Sequence, residues 1–278
     1  MKVSRTWLRL SSLASMLMAL ASAAGLFVPA VYANETPSWA AQGRGQDVVN
    51  LVIVFPLLLV SAWYVGKESV RAFLIWIGTL IYVVYSYVIY AFFVHFGPMF
   101  LVYVAALGSS AYALAGATTQ VDIEQLRSHW PPSFRVRSVS IYLIIIGVAF
   151  GGMWLAAIAR ALANGTAPEG VAAIGLPVNP VHVLDLAFLL PLAILTGVAH
   201  WRRRAFGVVF TTPILVFSVL MAAAIVSMTY FMRARGVLAS LGIVPIMAGA
   251  IGVGVASSVV MIGGMRPTTP TLGVSRTH

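Results

Sequence analysis

Eight long apolar runs constrain the fold of this chain more than any other feature of its sequence. A helix rises about 1.5 Å per residue, so about 20 apolar residues cross the roughly 30 Å hydrocarbon core of a bilayer. Charged residues make up only 9% of the chain, against about 25% in soluble domains. The sequence therefore predicts an all-α, polytopic transmembrane helix bundle that forms a single membrane domain over residues 1–278. The predicted spans are 10–31, 48–66, 72–94, 97–117, 139–161, 181–199, 206–230 and 237–263.

The distribution of basic residues predicts the orientation of these spans. With the N-terminus inside, the outer connections hold only four of the 17 Lys and Arg residues, namely Arg44, Arg160, Arg233 and Arg235. Cytoplasmic connections of membrane proteins carry an excess of Lys and Arg. Both termini are therefore predicted to be cytoplasmic. The formal net charge of +10 is explained by this orientation, and no nucleic-acid partner is expected.

The first run raises a question of processing. It follows a basic segment, MKVSRTWLRL, and ends near AVYA before Asn34, which resembles a signal-peptide cleavage site. Its apolar part is longer than the 7 to 15 residues typical of a signal peptide. A retained anchor is favoured and cleavage is the alternative; Asn34 lies outside in both cases.

Two connections are longer than simple turns. In the cytoplasmic loop 118–138, Ile123, Leu126 and Trp130 share one helical face before Pro131-Pro132, which predicts either a helix on the membrane surface or a solvated connector. The extracytoplasmic loop 162–180 is rich in Gly and Pro, and is either a lid over the helix ends or a flexible connector. No internal repeat is evident among the eight runs.

Familiar catalytic signatures are missing from the sequence. There is no cysteine, no Walker loop, no HExxH, no GxSxG and no dinucleotide-binding glycine pattern after a strand. No cofactor is predicted. The remaining indication of function is the set of polar residues within the spans, because ionisable groups there usually face the bundle interior or a water-filled cavity.

These polar residues gather near the outer ends of several spans. Asp47 and Asn50 open the second span, His182 and Asp185 open the sixth with the same spacing, and His95 closes the third. Four tyrosines of the third and fourth spans lie at similar depth. The sequence thus predicts an outward-facing site on spans two, three, four and six, formed by Asp47, Asn50, Tyr85, Tyr87, Tyr90, His95, Tyr103, His182 and Asp185.

Three functional classes are compatible with this cluster. In the favoured one, it lines a cavity that binds or transports a small molecule or a lipid, with kinks at Pro56, Pro191, Pro213 and Pro245. In the second, a membrane enzyme uses the cluster as acid and base or as a metal site, although no metal is expected; the ligands would be Asp47, His95, His182 and Asp185. In the third, a structural or assembly protein uses these residues only for capping, interfacial anchoring and packing.

Three stretches carry a resemblance to known sequences: GQDVVNLVIVFPLLL, YSYVIYAFFVHFGPMFLVYVAAL, and PVHVLDLAFLLPLAILTG followed by WRRR. They resemble a group of bacterial multi-pass inner-membrane proteins that carry no assigned activity. The resemblance covers less than half of the chain. It implies a bacterial cytoplasmic membrane, no reaction and no functional residues. Membrane lipid is the partner expected from the apolar spans themselves.

Overall fold

The computed structural model describes residues 2–134, 136–168 and 170–266, and over these residues it is a helical bundle without strands. Eight of its helices are long and apolar enough to span a membrane, which confirms the predicted fold class. They are α1 (Arg5–Phe27), α2 (Pro37–Gly66), α3 (Val70–Phe93), α4 (Phe100–Thr118), α5 (Arg137–Ala163), α6 (Pro180–Trp201), α7 (Ala205–Ala234) and α8 (Ile243–Gly263).

The second helix begins eleven residues earlier than predicted. It starts at Pro37, where Thr36 caps it by accepting a hydrogen bond from the Trp39 amide (3.2 Å), and it continues to Gly66. Its first part is too polar to be recognised as a span, yet most of it is buried against other helices. Asp47 and Asn50 therefore lie well inside α2, and the prediction that they open the helix is wrong.

The first helix packs as a full member of the bundle. It begins at Arg5 behind a Ser4 cap and ends at Phe27, four residues earlier than predicted, because Pro29 follows. One face, which includes Ser11 and Met18, is buried. Ser11 accepts a hydrogen bond from the Trp76 indole of α3 at 3.1 Å.

The loop between α4 and α5 packs against the helix ends. Among its described residues, Ile123–Arg127 forms the one helical segment, ahead of the predicted stop at Pro131. Leu126 and Trp130 are buried, and the Trp130 indole donates to the Met261 carbonyl of α8 at 2.8 Å. The apolar face predicted for the membrane surface is thus covered largely by protein.

The loop between α5 and α6 folds back over the start of α2. A short helix, Val171–Ile174, buries its two end residues, and the Thr36 hydroxyl donates to the Ala173 carbonyl at 2.8 Å. This contact ties the described part of the loop to the start of α2.

The helices α2 and α6 share a local pattern, which divides the bundle into two halves of four helices, α1–α4 and α5–α8. In α2, a π-helical segment covers Asn50–Val54 ahead of Pro56; in α6, one covers Asp185–Leu189 ahead of Pro191. Each segment is followed by a twelve-residue α-helical stretch, a turn with one residue at positive φ (Glu68 or Arg203), and the next long helix. The sequence analysis overlooked this repeat.

The repeat is also present in the sequence when the two helices are aligned on these segments. The second helix reads D-x2-N-x5-P from Asp47, and the sixth reads H-x2-D-x5-P from His182. Asp47 therefore corresponds to His182, and Asn50 corresponds to Asp185. The prolines explain the π segments: a proline ring removes a hydrogen bond and clashes with the preceding turn, so the helix widens just before it.

The two halves meet along α3 and α7 at the centre, with α2 packed against α7. Close approach is possible because glycines lie at the crossings: a side chain at Gly78 would overlap the backbone of Pro213, and one at Gly45 would overlap the backbone of Met228.

Candidate functional site

Asp185 lies at the start of the π segment of α6, with its carboxylate held by two donors from other helices. The Tyr85 hydroxyl of α3 donates to Oδ1 at 3.0 Å, and the Trp154 indole of α5 donates to Oδ2 at 3.0 Å. Both donors are neutral, and no Lys or Arg in the described part of the chain forms an ion pair with this carboxylate. A carboxylate bound by two neutral donors remains able to accept a hydrogen bond from a ligand or to pair with a cation.

A cavity of about 170 Å³ lies beside Asp185. This volume is well above that of a single water site. Its walls come from α2, α3, α5, α6, α7 and α8, and are mainly apolar. Representative apolar residues of the walls are Ile89, Phe150, Leu189, Ala193, Phe217, Met221, Ala222, Met228 and Met247. An apolar chamber with one carboxylate suits an amphiphilic molecule.

The first half has its carboxylate one turn earlier than the position aligned with Asp185, at Asp47, and this carboxylate is closed off from the cavity. Asp47 is 1% exposed, and its two oxygens accept hydrogen bonds from Tyr32 (2.6 Å) and Tyr90 (2.8 Å). Burial, followed by the neighbouring Asp47 carboxylate, raises the pKa of Tyr32 well above its usual value, so this hydroxyl stays protonated and donates. Tyr32 and Tyr90 both line the cavity, so Asp47 orients two wall residues from behind.

A second buried network fixes the wall that α2 contributes. The Gln46 amide donates to the hydroxyls of Tyr82 (2.6 Å) and Ser86 (3.0 Å), and Tyr82 donates to Asn50 Oδ1 at 3.2 Å. Gln46 and Ser86 line the cavity, whereas Asn50 is fully buried behind it. The polar groups that α2 contributes to the cavity are thus held in place.

Three of the predicted tyrosines form an aromatic group between α3 and α4. Tyr87 stacks on Tyr90 with ring centroids 5.3 Å apart, and Tyr103 lies 5.1 Å from Tyr90. Tyr87 and Tyr103 are buried and do not reach the cavity. Their contacts hold Tyr90 in place, and Tyr90 lines the cavity.

Neither predicted histidine lines the cavity. His95 lies beyond the end of α3, half exposed, with Nδ1 2.9 Å from the Glu35 carboxylate. His182 is buried against the Trp154 ring, with centroids 4.5 Å apart. The proposed four-residue metal set is therefore not assembled, and no group of three His, Cys, Asp or Glu side chains suited to a metal occurs within the described ranges.

The cavity thus contains three of the nine predicted site residues, Tyr85, Tyr90 and Asp185. The structure places the rest behind it or, for His95, away from it. The fourth span contributes nothing, whereas α5, α7 and α8, which were not predicted, form much of the wall. The polar and aromatic wall residues that sequence reasoning missed are Tyr32, Trp39, Gln42, Gln46, Ser86, Phe150, Trp154, Phe217 and Ser218.

The two halves differ in how closely the first and last helix of each half pack against each other. In the first half α1 packs along α4, whereas α5 and α8 have few contacts with each other. One of these few is the Tyr142 hydroxyl donating to the Ala250 carbonyl at 2.8 Å. In the apolar stretch of each helix, 17% of the residues of α5 and 17% of those of α8 are buried, compared with 44% in α1 and 33% in α4. The region around Asp47 in the first half is closed, whereas the cavity beside Asp185 lies behind a loosely packed pair of helices.

No protein-family model, curated protein or solved structure was found to match the chain.

Proposed function

We propose that the protein binds, and carries across or within the membrane, an amphiphilic small molecule or lipid in the cavity beside Asp185. The observation that carries this proposal is a carboxylate bound only by neutral donors at the wall of a mainly apolar chamber. A carboxylate used solely for packing would be enclosed by its partners, as Asp47 is.

The chemistry of the wall defines the class of ligand. Apolar side chains dominate the lining, so the body of the ligand is apolar. Asp185 accepts hydrogen bonds and lacks a cationic partner, so the polar end of the ligand is a cation or a hydrogen-bond donor. Trp39 and Trp154 supply aromatic surface on which a cation can also rest.

The loose pairing of α5 and α8 suggests the route of entry. Both helices contribute wall residues, including Phe150 and Met247, and both are exposed over most of their surface. A molecule dissolved in the bilayer reaches the cavity between them, and the corresponding passage in the first half is closed by α1 and α4. Tyr32 and Trp39 line the end of the cavity that faces outward in the predicted orientation.

A filling substitution tests the proposal. Ala193 of α6 is buried at the cavity wall, whereas Ala187 of the same helix is exposed on its surface. Ala193→Phe places a ring in the chamber, and Ala187→Phe makes the same chemical change outside it. Small molecules extracted from each purified protein are identified and quantified by mass spectrometry.

We expect an amphiphile that co-purifies with the wild type and with Ala187→Phe and is depleted at least tenfold in Ala193→Phe. Equal amounts of every extracted molecule in the three proteins would contradict the proposal. Thermal unfolding of each variant distinguishes a filled cavity from a misfolded protein.

A further inference from the structure

A groove of about 520 Å³ separates the ends of α1 and α2 on the side opposite the outer loops. Its lining combines cations, apolar side chains and one aromatic ring. Arg5, Arg9, Ser12, Leu59, Trp63 and Lys67 form most of it. The groove is separate from the Asp185 cavity and does not depend on the function proposed for that cavity.

The groove concentrates positive charge without a compensating acid. Arg5 and Arg9 lie four residues apart and hence on one face of α1, and Lys67 follows the last residue of α2. No carboxylate belongs to the described lining, and none of the three cations forms an ion pair with another described residue. Three cations gathered in one groove favour an anionic occupant.

The position of the groove identifies the source of that anion. Arg5 is the first residue of α1 and Lys67 the cap of α2, so both cations lie at helix ends, where lipid headgroups meet a spanning helix. One turn further in, Trp63 is 57% exposed and its ring lies 3.4 Å below the Lys67 ammonium. Leu8 and Leu59 continue the groove with an apolar surface.

We infer that this groove binds the phosphodiester headgroup of an anionic phospholipid. The Arg5 and Arg9 guanidinium groups and the Lys67 ammonium contact the phosphate, and the apolar part of the groove holds the glycerol and the first acyl carbons. The Trp63 ring keeps Lys67 directed over the groove through a cation–π contact. Basic pockets between spanning helices on the inner side are the usual binding sites of anionic lipids.

The second half repeats part of this arrangement at the corresponding helix ends. Arg137 is the first residue of α5, as Arg5 is of α1, and its guanidinium lies 5.4 Å from the ring centroid of Trp201, the last residue of α6. A cation thus contacts a tryptophan in both halves, although at positions that do not correspond in the alignment, and the groove with two arginines facing a lysine belongs to the first half.

Lipid titration of the delipidated full-length protein in neutral detergent tests this inference. Phosphatidylglycerol is the anionic probe, phosphatidylcholine the neutral one, and inorganic phosphate tests whether the acyl chains matter; bound lipid is counted by native mass spectrometry. The groove variant is Arg5→Gln with Arg9→Gln. The control is Arg233→Gln with Arg235→Gln, which makes the same change in net charge at exposed positions at the other end of the bundle.

We expect phosphatidylglycerol to bind more tightly than phosphatidylcholine, and the groove variant to weaken its binding about 30-fold, since each basic residue near anionic lipid contributes about a factor of five. The control pair leaves the affinity unchanged, and Lys67→Gln alone weakens it about fivefold from the other wall. Equal losses in the groove and control variants, equal affinity for the two lipids, or binding of inorganic phosphate as tight as that of phosphatidylglycerol would each overturn the inference.

Discussion

The Tyr85 hydroxyl, from the first half, donates a hydrogen bond of 3.0 Å to Asp185 in the second half. The corresponding position in the first half, Asn50, accepts its hydrogen bond from Tyr82, within its own half. The hydrogen bond between Tyr85 and Asp185 thus joins the two halves, and both residues line the cavity. Because Tyr85 contributes both to the interface between the halves and to the candidate site, its substitution should change the stability of the protein.

Tyr85→Phe is expected to destabilise the protein by about 1 to 3 kcal/mol, because Oδ1 of Asp185 loses its donor at a partly buried position. The matched control is Tyr112→Phe, since Tyr112 lies on α4 and is 70% exposed. Thermal unfolding in detergent compares the two variants. Equal unfolding temperatures would show that the hydrogen bond to Asp185 contributes nothing to the packing of the halves.

Gly25→Ala is expected to unfold or strongly destabilise the first half. A methyl group at Gly25 would overlap the Asp47 carboxylate and press on the Tyr32 ring, which together form a buried and fully bonded cluster. Overpacking of this kind costs typically about 1 to 3 kcal/mol. Gly252→Ala, on the exposed surface of α8 with nothing within 4 Å, is the control and leaves the unfolding temperature unchanged. A stable Gly25→Ala protein would contradict the closed packing around Asp47.

Cysteine labelling in intact cells tests the predicted orientation. The chain has no cysteine, so single substitutions report directly. Cysteines at the exposed positions Asn34, Asn164 and Leu238 should react with an impermeant thiol reagent, and those at Gly66 and Ser128 should react only after lysis. This pattern follows from the excess of Lys and Arg in the connections that hold Gly66 and Ser128. The reverse pattern would place the termini outside.

The number and approximate positions of the spans follow from hydrophobic run length alone, because lipid requires about 20 apolar residues whatever the protein does. The start of α2 cannot be predicted from hydrophobic run length. Residues 37–47 are polar and nevertheless helical, since their partners are other helices rather than lipid. Hydropathy reports contact with lipid, and it fails where a helix is covered by protein.

The candidate site shows a similar limit. Spacing drew attention to Asp185, yet the same spacing placed Asp47 beside it, and only the packing reveals that one carboxylate is closed and the other faces a cavity. Trp154 and Tyr32 were missed because their hydrogen bonds to Asp185 and Asp47 are set by the packing of helices and leave no pattern in the sequence. The repeat escaped notice because the few polar and proline residues that mark it are surrounded by apolar residues common to every span.

The charge of Asp185 can be removed with little structural change. In Asp185→Asn the amide oxygen accepts from the Trp154 indole, and the Tyr85 hydroxyl can accept from the new amide NH2 instead of donating, so both contacts are kept and the unfolding free energy should change by about 1 kcal/mol or less. Asp185→Leu removes both acceptors. If the acid serves only packing, a well-folded leucine variant would keep full ligand binding.

Quenching of Trp154 fluorescence by brominated amphiphiles tests the central claim most directly. The protein is placed in neutral lipid vesicles, and a brominated long-chain alkylamine is compared with the brominated fatty acid of the same chain length. The contribution of Trp154 is taken as the signal missing from Trp154→Phe, because the chain has seven tryptophans. We predict that the amine quenches Trp154 at lower concentration than the acid, and that Asp185→Asn abolishes this preference. Equal quenching by both probes in the wild type, or an amine preference that survives in Asp185→Asn, would contradict a cavity that recognises its ligand through Asp185.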